Sequence, residues 1–165
     1  MEVLKKLYQL LLRLMGLLAV ITLAGMVLIV FWSVLSRFVF NSSIAWAEET
    51  SRFLMIWLTL VGSVVAYEEN KHVGFDSIVN MLPKVPRLLI TLLSYILVFG
   101  ILLILIRGGV ALAKNQWSWT SPATKTSYGF VYAIAPVSFG IMAIQAVIKF
   151  ICAILEFRKS RKERR

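Results

Sequence analysis

The chain has one cysteine, one histidine, four prolines and eight acidic residues in 165 positions, and only 16% of it is charged. Each scarcity removes a class of function. The single cysteine, Cys152, excludes an internal disulfide, a four-ligand zinc site and paired-cysteine redox chemistry, and its lone thiol is expected to be a buried packing residue. The single histidine, His72, lies outside every long apolar run, which excludes haem held by two histidines within a bilayer. Charge is well below the roughly 25% of a soluble domain, and the hydrophobic share, 59%, is above the usual ~45–50%. With a mean hydropathy of +0.82, the chain is not built for water.

Four runs contain no Asp, Glu, Lys or Arg: 14–36, 53–67, 88–106 and 126–148. At about 1.5 Å per residue, the first, third and fourth cross a hydrocarbon core of roughly 30 Å, whereas the second covers only ~22 Å. Its helix is therefore expected over about 45–67, which brings Trp46, Glu48, Glu49 and Arg52 to one membrane boundary and Glu68 to the other. The expected fold is an all-α integral membrane protein: a single membrane domain over 1–165, four transmembrane helices and a basic tail over 149–165. The first run exceeds the ~7–15-residue apolar core of a secretory signal and ends without a small-residue cleavage site, so it is read as a signal anchor.

Thirteen of the eighteen Lys and Arg residues fall on the side of the two termini and the middle loop, and five on the other. Positive residues resist translocation, so both termini are expected in the cytoplasm. Trp46, Trp117 and Trp119 then anchor the outer interface, and Tyr8 and Tyr67 the inner one. Basic residues sit between and after apolar runs, which sets topology and argues against nucleic acid as a partner. The tail, with Arg158, Lys159, Arg161, Lys162, Arg164 and Arg165, also suits anionic membrane lipids. Phe75, Ile78, Val79 and Leu82, at helical spacing before Pro83 and Pro86, predict a short amphipathic helix on the cytoplasmic surface. Leu4, Leu7, Tyr8 and Leu11 either form another or extend the first span.

No ionisable residue lies deep in the four runs, which argues against self-contained ion or drug transport. Pro136 has no counterpart elsewhere, unlike the paired helix breaks of secondary transporters; it frees the Tyr132 carbonyl and is expected to kink the fourth span. Gly62 with Ala66, Gly129 with Ala133, and Thr59 with Ser63 place small or hydroxyl residues four apart, for packing within the bundle or against a partner. No nucleophile–base pair, metal cluster or phosphate loop marks an enzyme, and no cofactor is expected. An accessory subunit and a stand-alone oligomeric scaffold or channel-like module remain.

Between Asn41 and Arg87 the polar residues follow a pattern. Ser42 or Ser43 can cap the second helix, and acidic residues early in it suit its positive end. Glu48 and Glu49 lie four and three positions before Arg52, so either carboxylate can reach the guanidinium. This is an interfacial ion pair or, with Arg37 across the loop, a contact with another protein. His72 and Asp76, four apart, are read as a structural hydrogen-bonded pair on the cytoplasmic side, with too few ligands for a metal.

The ordered set Arg37-Phe38, Asn41, Trp46-Ala47-Glu48-Glu49, Arg52, Trp57, Gly62, Ala66, His72-Val73, Asp76 and Leu82-Pro83 resembles the DctQ family, the small membrane subunits of tripartite ATP-independent periplasmic (TRAP) transporters. One departure is Glu68-Glu69, where similar proteins often carry basic residues. The resemblance implies a three-part secondary transporter. A periplasmic solute-binding protein captures an organic acid such as a C4-dicarboxylate or sialic acid, a large permease subunit moves it with sodium, and the small subunit braces the large one. It also implies no catalytic, substrate-binding or metal residues in this chain. The outer surface around Trp46, Glu48, Glu49, Arg52 and the 117–125 loop would dock the binding protein or anchor at the interface, while the spans pack on the large subunit.

Overall fold

A computed structural model describes residues 2–39, 41, 44–68 and 84–162. The chain forms α1 (Glu2–Val39), α2 (Ala45–Glu68), α3 (Lys84–Asn115), the short α4 (Tyr128–Tyr132) and α5 (Ile134–Lys162). Four segments are long and apolar enough to cross a membrane: Tyr8–Val39, Ala45–Glu68, Leu89–Asn115 and Tyr128–Leu155. The expected all-α membrane fold is therefore present. The second span reaches past its short uncharged run at both ends, as the thickness of a bilayer requires.

Helix boundaries follow from local chemistry. The leucines around Tyr8 extend α1 and form no separate interfacial helix. Pro86 sits in the first turn of α3, where a missing N–H costs no helical hydrogen bond. Pro136 cannot donate to the Tyr132 carbonyl, and the fourth span is interrupted at Ala133, whose own N–H still reaches Gly129 O at 3.0 Å. The 75–82 segment, the Ser42 and Ser43 caps and residues 163–165 of the tail lie outside the described residues.

The helices form an open row and not a closed bundle. α1 packs on α2, α2 on α5, and α5 on α3; α4 fills the corner between α3, α2 and α5, and the α1 backbone approaches neither α3 nor α5. Leu102, Ala143 and Ala146 make the core between α3 and α5, flanked by Tyr67, Val98, Phe99, Ile106, Phe139 and Met142. Close approach there depends on Gly109, where a Cβ would lie 3.1 Å from Pro136 Cδ and 3.2 Å from Pro136 N. The outward faces of α1 and α3 carry large apolar side chains such as Leu28 and Ile104, 68% and 71% exposed. Lipid is the solvent that accepts such surface, and helices within it associate through close packing and polar contacts.

Cys152 is exposed on α5, not buried as its solitude suggests. Cys152 lies three residues beyond Lys149, whose ammonium meets the Tyr67 and Glu68 carbonyls, so the thiol stands past the described end of α2.

Candidate functional site

Polar side chains gather at the two ends of the row. At the first, α3 passes into α4 through a tight hairpin. Ser121 N–H donates to Thr126 O at 2.9 Å, Lys125 N–H to Ser121 O at 3.0 Å, and Tyr128 N–H to Trp119 O at 2.9 Å. Pro122 opens the turn and Lys125 closes it with a left-handed φ of 59°. Gly129 then seats the hairpin on α3: a Cβ there would lie 2.6 Å from Ala113 O and 2.7 Å from Trp117 Cα, so no side chain fits.

The Glu49 carboxylate enters this hairpin. One of its oxygens accepts the Ser121 hydroxyl and the N–H groups of Ala123 and Thr124, each at 3.2 Å, while the Thr124 hydroxyl donates to Ser121 Oγ at 2.9 Å. Successive N–H groups at a turn make a concave anion site, here filled by the protein's own carboxylate. Phe53, one helical turn along α2, meets Tyr128 edge-on at 5.7 Å between ring centres. One turn further, Trp57 Nε1–H donates to Val131 O at 3.1 Å, and its ring lies 5.9 Å from that of Phe130. Glu49, Phe53 and Trp57 thus form one stripe that ties α2 to the hairpin and α4.

The neighbouring charges are arranged differently. Arg37 pairs with Glu48 at 3.7 Å, both side chains largely exposed at 64% and 56%, across an open cleft of about 310 Å³ that includes Ser33, Phe38 and Ser51. Arg52 is exposed and joins neither glutamate in an ion pair. The structure therefore separates the four residues grouped by sequence spacing: Arg37 with Glu48, Glu49 in the hairpin, Arg52 alone on the outward face of α2. Trp46, Trp117 and Trp119 are exposed at this same end.

The opposite end holds a second junction. Lys149 of α5, only 11% exposed, donates its ammonium to the carbonyls of Tyr67 and Glu68, the latter at 3.3 Å. It stands 4.0 Å from the Glu68 carboxylate and 4.6 Å from the centre of the Tyr67 ring. The last carbonyls of a helix lack intrahelical donors, and a cation there meets both those oxygens and the negative end of the dipole. Tyr8 of α1 donates its hydroxyl to the same Glu68 carboxylate. Fully buried Gln145, one turn before Lys149, donates Nε2–H to Val64 O at 3.2 Å. Three helices meet in this cluster, with Tyr8 carrying α1 to the others.

Sequence reasoning missed this cluster and the hairpin's hold on Glu49. Gln145 and Lys149, four apart at the end of an apolar run, were the available signal for the first; the Glu49, Phe53, Trp57 rhythm was the signal for the second. Gly129 and Ala133 belong to the α3–α4 junction, and Pro136 faces Gly109. Gly62 and Ala66 lie on the outward face of α2, where a Cβ on Gly62 would meet nothing within 4 Å. His72 and Asp76 lie outside the described residues. Among the described residues, no group of three His, Cys, Asp or Glu side chains is placed to hold a metal.

Residues 26–156 match the family described as tripartite ATP-independent periplasmic transporters, DctQ component. The chain is similar to a putative TRAP transporter small permease protein of Haemophilus influenzae, 30% identical over 135 residues that cover 82% of this chain and 83% of that one. It is 34% identical over 85 residues to the C4-dicarboxylate TRAP transporter small permease protein DctQ of Vibrio cholerae, covering 50% of this chain and 37% of the other. Over 120 residues it is 28% identical to the sialic acid TRAP transporter permease protein SiaT of Haemophilus influenzae, covering 73% of this chain but 19% of that protein.

Proposed function

The chain belongs to the DctQ family, the small permease component of TRAP transporters, and from that membership we propose that it braces a large permease subunit during sodium-coupled uptake of an organic acid delivered by a periplasmic binding protein. The observation that carries this reading is the use of charge. Glu49, Glu68 and Lys149 are spent on joining helices at the two ends of the row. A plate of helices clamped at both ends, with apolar flanks, suits a part that stays still while another moves.

The orientation proposed is N-in and C-in within the inner membrane. Two facts support it: the excess of Lys and Arg on the side of the termini, and the meeting of Tyr8, Glu68 and Lys149 at one end while Glu49 and the hairpin occupy the other. The hairpin end, with Trp46, Trp117 and Trp119, then faces the periplasm and the binding protein. The substrate is a carboxylate of the class named in the relatives, which include C4-dicarboxylate and sialic acid transporters. In SiaT the matching segment is about a fifth of a longer permease chain, which supports a standing association between the two parts.

The test is reconstitution in proteoliposomes with the large permease and the binding protein. Uptake should require all three components and a sodium gradient. Sodium-driven uptake by this chain alone, or full uptake without it, would overturn the reading.

A further inference from the structure

The three faces of α2 differ in chemistry. One carries Glu49, Phe53 and Trp57 against the hairpin and α4; another holds the buried Ala47, Val61 and Val64. The third points out of the row and runs Glu48, Arg52, Met55, Thr59, Gly62 and Ala66, spaced three or four apart, with Arg52, Met55, Thr59 and Ala66 exposed. This outward face is unlike those of α1 and α3. In α2, Met55 at 59% is the one large apolar side chain exposed beyond the entry turn at Trp46. The Thr59 and Ser63 hydroxyls are turned back onto the carbonyls of Met55 and Thr59, at 2.8 and 2.7 Å, so they project no donor outward. A shallow groove of about 420 Å³ follows the face, lined by Arg52, Met55, Ile56, Thr59 and Leu60.

We propose that this face, from Arg52 to Ala66, seats a transmembrane helix of the large permease, with a carboxylate of that helix opposite the unpaired Arg52 guanidinium. The inference rests on the small-subunit reading and adds the surface and the chemistry of its complement. Charge complementarity selects the occupant. Arg52 lies at the membrane boundary, exposed, with both nearby carboxylates engaged elsewhere, and a guanidinium in that setting gains most from a bidentate acid. Below it the face is low enough for a second backbone to come close, the geometry by which membrane helices associate. Among the described residues, nothing lies within 4 Å of a Cβ built on Gly62.

The experiment co-expresses the full chain with the large permease of the same transporter and measures how much permease co-purifies. Gly62→Leu should lower recovery at least tenfold. Gly100→Leu, on the outward face of α3 where a Cβ also meets nothing within 4 Å, should stay within twofold of the wild type. Arg52→Glu should lose the permease and Arg52→Lys keep a measurable share. Since a Cβ on Gly62 meets nothing and Arg52 forms no ion pair among the described residues, each variant chain should melt like the wild type, which separates docking from folding. Equal recovery for Gly62→Leu and Gly100→Leu, or retention by Arg52→Glu, overturns the proposal and assigns the face to lipid. A Gly62→Cys chain on a Cys152→Ser background that cross-links to its own copy, and not to the permease, overturns it in favour of a homodimer. Failure of the wild-type chain itself to retain the permease would instead overturn the small-subunit reading.

Discussion

Glu49 accepts the Thr124 backbone N–H at 3.2 Å across 75 positions of sequence, and with it the Ser121 hydroxyl and the Ala123 N–H. Ser121 is fully buried, so removing the carboxylate deprives its hydroxyl of this acceptor and takes one from the part-buried N–H groups of Ala123 and Thr124. Glu49→Ala is expected to cost about 2–3 kcal/mol, the scale of losing charge-assisted hydrogen bonds and leaving buried donors unmet. Glu48→Ala breaks only an exposed pair, worth about 0–1 kcal/mol. Thermal unfolding of both variants in detergent checks this: equal melting temperatures would show that Glu49 does not hold the hairpin.

At the other end, Lys149 and Glu68 are expected to be coupled. Lys149→Met removes the donor to the Tyr67 and Glu68 carbonyls and the cation 4.0 Å from the Glu68 carboxylate. The cost should be about 2 kcal/mol, less than the roughly 3–5 kcal/mol of a wholly buried pair, because Glu68 is 32% exposed. Adding Glu68→Gln removes the stranded charge, so the double variant should be no less stable than Lys149→Met alone. A double-mutant cycle on unfolding measures this, and strict additivity would show that the two residues do not interact.

The spans were legible because length and apolarity alone decide whether a helix crosses a bilayer, and the 14–36 and 88–106 runs meet that requirement without reference to any partner. The end junctions were not. Glu49 and Arg52 are neighbours on a helix surface, and spacing rules see only that; Ser121 and Thr124, the partners that win, lie in a polar loop that looks like many others. Lys149 counted as one basic residue among thirteen because the topology rule weighs number and not contact. The open row was also hidden, since α1 and α3 are apolar all round and their sequences do not say which flank meets protein. Gly129 and Gly62 each stood four residues before an alanine and looked alike, yet one is enclosed by backbone and the other faces open space.

That contrast gives a direct comparison. Gly129→Ala puts a Cβ 2.6 Å from Ala113 O and 2.7 Å from Trp117 Cα, backbone atoms that cannot swing aside. It should destabilise the isolated chain by about 1–3 kcal/mol, the usual cost of overpacking. Gly62→Ala meets nothing and replaces a poor helix former, so it should be neutral or stabilising by up to about 1 kcal/mol. Unfolding of the two variants side by side decides; a Gly129→Ala chain as stable as the wild type would mean that α3 and α4 can separate without penalty.

Orientation has its own test, because the two polar ends must lie on opposite sides of the membrane. On a Cys152→Ser background, Ser118→Cys introduces an exposed thiol in the hairpin loop, and Lys159→Cys places a second reporter position near the end of α5. If the Lys and Arg bias sets the topology, a membrane-impermeant maleimide should label Ser118→Cys in intact spheroplasts and Lys159→Cys only after permeabilisation. The reverse pattern would place Glu49 and the tryptophans in the cytoplasm, and the hairpin could not then be the surface that meets a periplasmic protein. Labelling of both thiols in intact cells would mean an even number of crossings between them, with α4 and α5 failing to span, and would remove the shared end at which Tyr8, Glu68 and Lys149 meet.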